Sequence, residues 1–448
     1  MKTQPAIKNY FFGKAYGDLK NTISESFTRN TDNAKDFFDK ADGATLPSFY
    51  WGLSIATYVF GTAVFLFCSA FHIVFLSLVT IIIYLCFSFI WLLDAGYRKY
   101  QKIFTACPHC YTKSILPVYH CPKCNAKHDQ LWAGPYGILQ RTCKCGEKLP
   151  TTFFNGRKKL TASCPKCDKS IESLETRPIA IPIIGAPSVG KTFFVFSLVW
   201  YIKEQFARTK GFVFKFMNSY NENNYNSEIS ILHRGQYLRK TVENNPIALN
   251  FFLTKNKSKS LFFFYDSAGE AFSSTQNLVQ HKFYDYFNGL IFIIDPFSIP
   301  SVYAKYQSNL SGNTSIKPSI TPLEDVYDAL IINLEKNYKI KTTERISKPV
   351  AIVFSKVDAF DLQNIIGENA AQKILKTEET VKTIEEARRE VCKAFLKNNE
   401  LEALYRKIEW KFGNSQFFAV NSSGKDSIGI DKVANWLLGE IDKSYKNI

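Results

Sequence analysis

Two groups of residues in this sequence have types and spacings that can do chemistry. The first is Gly185-Ala-Pro-Ser188-Val189-Gly190-Lys191-Thr192, between the apolar run Ile179–Ile184 and a helix-like run from Phe193. G-x-x-x-x-G-K-T between a strand and a helix lets backbone N–H groups converge on phosphates. The helix also turns its positive end toward the anion. Gly185, Ser188, Val189, Gly190 and Phe193 are candidate contacts, Lys191 places a charge on the β- and γ-oxygens, and Thr192 offers a hydroxyl to Mg2+. The second group is eight of the eleven cysteines, in four knuckles: Cys107-Pro-His-Cys110, Cys121-Pro-Lys-Cys124, Cys143-Lys-Cys145 and Cys164-Pro-Lys-Cys167. Four thiolates from two knuckles make a tetrahedral structural zinc site, so eight predict two Zn2+.

Proximity along the chain pairs the first knuckle with the second and the third with the fourth, giving tandem zinc ribbons. Disulfides are the competing reading and need an oxidising compartment. His109, His120 and His128 are spare donors. Asn155-Gly156 between Thr151–Phe154 and Arg157–Leu160 predicts a hairpin. Arg157-Lys158-Lys159 at its tip would suit phosphates. Residues 95–175 carry 14 Lys/Arg against 5 Asp/Glu. That balance admits lipid headgroups or nucleic acid, with a spacer or protein-docking role favoured and nucleic acid least so.

Further pieces follow in an order a nucleotide switch needs. Leu261–Tyr265 is an apolar strand ending in Asp266-Ser-Ala-Gly269. Asp266 can hold Mg2+ through water, and the Gly269 N–H can sense a γ-phosphate. Ala351–Phe354 runs into Ser355-Lys356-Val357-Asp358. A carboxylate at Asp358 can accept from N1 and N2 of guanine, a donor pair adenine lacks, with Lys356 along the base. Gln416–Val420 precedes Asn421-Ser422-Ser423-Gly424-Lys425, whose backbone can reach the guanine O6.

GxxxxGKT, DxxG, an NKxD-like element and a terminal SxG-like loop, in that order, resemble a Ras-like, translation-factor-class P-loop GTPase over 178–448. With cysteine knuckles ahead of them, they are also similar to bacterial double-GTPase proteins. The resemblance implies Mg2+-dependent hydrolysis of GTP to GDP, action with a second GTPase or an effector, and a place in conflict or defence systems. Two positions depart from the pattern. Ser355 stands where Asn normally ties the base loop to the phosphate loop. Glu270 stands where many relatives carry a water-orienting Gln, which predicts slow intrinsic turnover. Thr241 is the best-placed switch threonine for Mg2+, so the catalytic candidates are Lys191, Thr241, Gly269 and Glu270. Arg239 is a weaker candidate for an internal arginine finger.

The elements that must position these residues follow from the alternation. Strands are expected near 179–184, 247–253, 260–265, 289–294, 350–354 and 416–420, with helical patterns between most of them. This is an α/β fold with a doubly wound, mostly parallel sheet. Strands 247–253 and 260–265 are too close for a parallel crossover and should form an antiparallel hairpin. Asn218–Ser230 is expected to be mobile, 296–322 to be a long surface loop and 368–401 to be helical.

The chain has 448 residues, 46% hydrophobic, with a formal net charge of +16. That excludes a wholly disordered chain and favours an anionic partner. From Gly43 to Leu93 there is no Asp, Glu, Lys or Arg. The run Tyr50–Leu93 fits two membrane spans with a turn near Ser69–His72. Basic flanks at Lys35, Lys40, Arg98, Lys99 and Lys102 then put both termini in the cytoplasm. The expected organisation is a cytoplasmic arm (1–48), a transmembrane hairpin (49–94), tandem zinc ribbons (103–175) and a P-loop GTPase domain (178–448). Expected partners are guanine nucleotide, membrane lipid and a protein effector or second GTPase. A nucleotide-gated scaffold with little turnover and a membrane-remodelling GTPase are the alternatives.

Overall fold

The computed structural model describes residues 4–110, 112–171, 175–234, 247–256, 258–266, 287–311, 316–338, 341–421 and 427–446. Two compact units emerge, one formed by 1–103 with 115–175, the other by 104–114 with 176–448.

The first unit begins with helix α1 (Lys14–Asp39) and continues in helix α2 (Pro47–Tyr100). The expected two-span hairpin is not found: α2 is one helix of 54 residues, about 80 Å at 1.5 Å per residue. Ser69–His72 does not turn and lies inside α2. The His72 Nδ1 lies 2.8 Å from the Cys68 carbonyl one turn back. Pro47 starts the helix, where its missing N–H costs nothing. α1 lies along α2, with Ser54 Oγ donating to the Ala34 carbonyl at 2.6 Å and Tyr16 Oη to Thr80 Oγ1 at 3.2 Å. Elsewhere α2 exposes large apolar side chains, such as Phe60, Phe67, Phe71 and Leu85. Among the described residues it is the one helix long and apolar enough to cross a membrane.

The C-terminal end of α2 is locked to the cysteine-rich segment by a buried charge network. Asp94 pairs with Arg98 at 3.2 Å and Arg157 at 3.1 Å, and accepts from the Phe153 N–H at 2.7 Å. Arg157 has no solvent exposure and makes a fork to Glu175 at 2.6 and 3.1 Å. It also donates to the carbonyls of Leu131 and Thr151. Tyr119 Oη donates to the same Glu175 carboxylate. The expected hairpin at Asn155-Gly156 is therefore corrected: Arg157–Lys159 is a short 3-10 turn. Arg157 is drawn inward by two carboxylates and takes no part in a surface phosphate patch.

The second unit carries a seven-stranded sheet. Its strands are β1 (Arg177–Ile184), β2 (Val213–Phe216), β3 (Ile247–Lys255), β4 (Ser258–Asp266), β5 (Leu290–Ile294), β6 (Ile346–Phe354) and β7 (Phe412–Ala419). Their spatial order is β2-β3-β4-β1-β5-β6-β7. β3 and β4 form an antiparallel hairpin, while β4, β1, β5, β6 and β7 run parallel. Ile179, Ile181, Ile183 and Ile184 are all fully buried in central β1. A parallel strand covered on both faces reads as such a continuous apolar run.

One segment expected to be mobile and one expected to be a long surface loop contain helices. Ser219–Leu232 (α4) is capped by Asn218, whose side chain accepts from the Asn221 N–H at 3.0 Å. Asn221, Tyr225, Ile229 and Leu232 are buried at helical spacing. After Asp295, a short 3-10 turn leads into α5 (Pro300–Ser311), which buries Val302, Tyr306 and Leu310, each four residues after the last. Helices α6 (Leu323–Tyr338), α7 (Glu368–Thr377), α8 (Ile384–Asn398), α9 (Glu402–Lys411) and α10 (Ile430–Ile441) complete the unit.

Candidate functional site

The loop after β1 is shaped by positions that only glycine fits well. A Cβ on Gly185 would lie 2.7 Å from the Ile293 carbonyl oxygen and 2.9 Å from Val189 Cγ2. Gly190 has a φ of 90°, in the left-handed region. Ser188 also turns left-handed, with a φ of 64°. The chain then enters helix α3 (Lys191–Tyr201), so the free N–H groups of its first turn sit at the loop. Lys191 is buried, and its Nζ donates to the carbonyls of Gly185 at 2.9 Å and Ala186 at 2.8 Å. The ammonium is thus folded over the cradle that G-x-x-x-x-G-K-T predicts. Val189 is buried, Ser188 is exposed, and Thr192 and Phe193 are partly exposed.

The other candidates line up along the same edge of the sheet. Asp266 ends β4 in register with Ile183 of β1. Ile294 ends β5 in register with Phe354 of β6. Ser355-Lys356-Val357-Asp358 follows directly, held by Ser355 N–H to the Ile294 carbonyl at 2.9 Å and Val357 N–H to the Val420 carbonyl at 3.4 Å. The phosphate-loop strand and the Asp358 strand are separated by β5 alone, so their ends lie about 10 Å apart at strand spacing. Ligands in open α/β sheets bind at this carboxyl edge. The Asp358 side chain is exposed and accepts no hydrogen bond from a described residue. Thr241, Gly269, Glu270, Ser422 and Ser423 lie outside the described residues, as does Arg239. Asn421 pairs with Ile428 at the base of the terminal loop.

Asp295 is a residue to which the sequence reading gives no role. It is buried at the end of β5, and its carboxylate receives Lys356 Nζ at 2.6 Å. The signal was present: an acid directly after an apolar strand, the pattern that singled out Asp266.

Within the first unit Cys121, Cys124, Cys143 and Cys145 form a four-sulfur group, with ligand atoms within 4.8 Å of one another. The sequential pairing is corrected: the second knuckle joins the third. The hairpin of Gln140–Thr142 with Lys148–Pro150 carries the third knuckle at its tip. Val118–His120 pairs antiparallel with Ala162–Ser163, so the second and fourth knuckles leave that pair at opposite ends. In the group, Cys121–Cys145 and Cys124–Cys143 sulfurs are 3.6 Å apart. A tetrahedral zinc with bonds of about 2.3 Å needs sulfur separations of about 3.8 Å, so the donor set fits. A backbone hydrogen bond from Glu147 pulls the Cys145 thiol down to about 7, whereas burial raises Cys143. Zinc would replace those mutually crowded protons. His128 is not part of that group. It is fully buried, and neither ring nitrogen has a hydrogen-bond partner among the described residues.

A search of curated proteins finds no match to this chain. The profile of the family described as Double-GTPase 2 matches residues 179–411, from β1 to the end of α9. That span is more than half of the chain and contains both Gly185–Thr192 and Ser355–Asp358, and the protein belongs to the Double-GTPase 2 family.

Proposed function

We propose that this protein is a membrane-associated GTPase that hydrolyses GTP to GDP and phosphate and whose nucleotide state is read by a protein partner. One observation carries the reading: the Gly185–Thr192 loop and the exposed carboxylate of Asp358 end strands two positions apart on one sheet edge. A guanosine triphosphate spanning that edge would have its phosphates in the first and its base at the second. Lys191 and the loop amides would stabilise charge on the phosphates as water attacks the γ-phosphorus in line. Thr192, Thr241 and water held by Asp266 would hold Mg2+, which neutralises charge between the β- and γ-oxygens. Gly269 would report loss of the γ-phosphate, and the Ser422–Ser423 backbone would meet the guanine O6.

Helix α2 would supply the membrane contact through its exposed apolar side chains, and the eight knuckle cysteines would hold structural Zn2+. The family resemblance supports a second GTPase as partner and a role in bacterial conflict systems. A nucleotide-gated scaffold with little turnover is the second reading, favoured by Glu270, since a carboxylate beside the γ-phosphate orients water poorly. Single-turnover hydrolysis by the purified protein tests both. Turnover abolished by Lys191→Ala supports the enzyme, tight GTP binding without turnover supports the scaffold, and no GTP binding rejects both.

A further inference from the structure

We propose that Asp295 is a positioning residue for purine recognition, clamping the base loop through Lys356. This rests on the GTP-binding reading above.

Three segments converge on the buried Asp295 carboxylate. Oδ1 accepts from the Phe297 N–H at 3.0 Å, at the turn after β5. Oδ2 accepts from the Ser319 N–H at 2.9 Å and from Lys356 Nζ at 2.6 Å. Lys356 Nζ also donates to the Lys317 carbonyl at 2.7 Å, so the 317–319 strip and the base loop share one knot. The Asp295 side chain is fully shielded from solvent, while Lys356 keeps 19% exposure. A buried carboxylate without partners is costly, and the lysine and two N–H groups satisfy this one.

The clamp adds a side-chain tie at Lys356 to the Ser355 and Val357 N–H bonds and the buried Val357 that also hold the loop. Ser355 is a short side chain, and among the described residues its hydroxyl donates to the Ile294 carbonyl at 3.2 Å. Lys356 occupies the left-handed region at a φ of 55°, a conformation that persists when neighbours over-determine it. Asp358 lies two residues on, and the Ala359 N–H closes the turn on the Lys356 carbonyl at 3.1 Å. A change in Lys356 therefore re-aims Asp358. With its ammonium tied to Asp295, Lys356 has only its alkyl stem to offer a purine face, which is the apolar surface a flat ring needs. Asp295 touches neither base nor phosphate in this scheme and acts through Lys356.

The test compares binding of GTP and inosine triphosphate to the full chain by fluorescence titration. Inosine lacks the 2-amino donor, so the affinity ratio reports the Asp358 contact while leaving the phosphate contacts in common. The wild-type chain is expected to prefer GTP, and Asp295→Ala to shrink that preference by roughly tenfold, with a smaller loss for inosine triphosphate, which keeps the N1 donor. Adding Lys356→Ala to Asp295→Ala weakens both nucleotides alike through loss of the stem and is expected to cause little further loss of the preference, since the two act as one unit in aiming Asp358. An unchanged ratio in Asp295→Ala, with both nucleotides weakened alike, would show a merely structural residue and overturn the proposal. Asp295→Asn serves where the alanine variant fails to fold. It keeps an acceptor oxygen but removes the charge, and the same shift in ratio is expected. If wild type does not distinguish the two nucleotides, or Asp358→Asn leaves the ratio unmoved, the underlying reading of the base site has failed instead, and the proposal falls with it.

Discussion

Arg157 and His128 are both sealed from water in the first unit, and their energetics differ because one has partners and the other has none among the described residues. Burial alone would push the Arg157 guanidinium down, but the Glu175 carboxylate outweighs it and holds the charge firmly on. Arg157→Met would leave the buried Glu175 carboxylate without a cation and Asp94 with Arg98 alone, a loss of about 3–5 kcal/mol in unfolding free energy. Urea unfolding checks this, with Lys159→Ala as the exposed neighbour expected to stay within about 0.5 kcal/mol. His128 behaves in the opposite sense. Burial, then the charge of Arg141, lowers it to about 4, with Asp129 opposing. An unfolded histidine binds its proton near pH 6.5. Between those values the unfolded chain takes up a proton that the folded chain refuses, so stability falls as pH drops from about 6.5 toward 4. His128→Phe is expected to flatten that part of the stability–pH curve, and an unchanged slope would exclude His128 as its source.

At the scale of elements, what was legible depended on whether the signal was local. Central strands are continuous apolar runs and announce themselves, and the short link between β3 and β4 dictates a hairpin. α4 was hidden by composition. Its asparagines look like loop residues, yet Asn218 caps the helix and Asn221 accepts from the Asn250 N–H at 3.1 Å, bonding it to β3. Asn218→Ala should cost about 1 kcal/mol by loss of the cap, measurable as a lowered denaturation midpoint. α5 was hidden the same way, by serines and prolines around a sparse but regular apolar stripe. α2 was misjudged for a different reason. Dividing a long apolar run by bilayer thickness yields two spans, but nothing at Ser69–His72 forces the chain to turn. Arg157 was illegible because its partners, Asp94 and Glu175, lie 63 and 18 residues away.

Across the whole molecule, sequence motifs identified which residue types gather but not always with which partners. The cysteine knuckles show this most sharply. If Cys121 and Cys145 share a metal, the double variant Cys121→Ser/Cys145→Ser loses one zinc of two per chain, whereas sequential pairing would cost both. Zinc analysis of purified protein decides between them. The membrane proposal is tested at the same scale by vesicle flotation. The full chain should rise with lipid, and a variant with charged residues at Phe60, Phe67 and Leu85 should not.

The central claim is that one sheet edge holds a triphosphate at Gly185–Thr192 and reads its purine with Asp358. An aspartate at that position accepts from N1 and N2 of guanine, whereas an asparagine can donate to the O2 of xanthine. Titrating GTP, ATP and xanthosine triphosphate against wild type and Asp358→Asn is the most direct measurement. The account predicts that wild type prefers GTP and that Asp358→Asn shifts preference to xanthosine triphosphate. Equal affinity for all three in both proteins, or a preference for ATP that the substitution leaves intact, would contradict it.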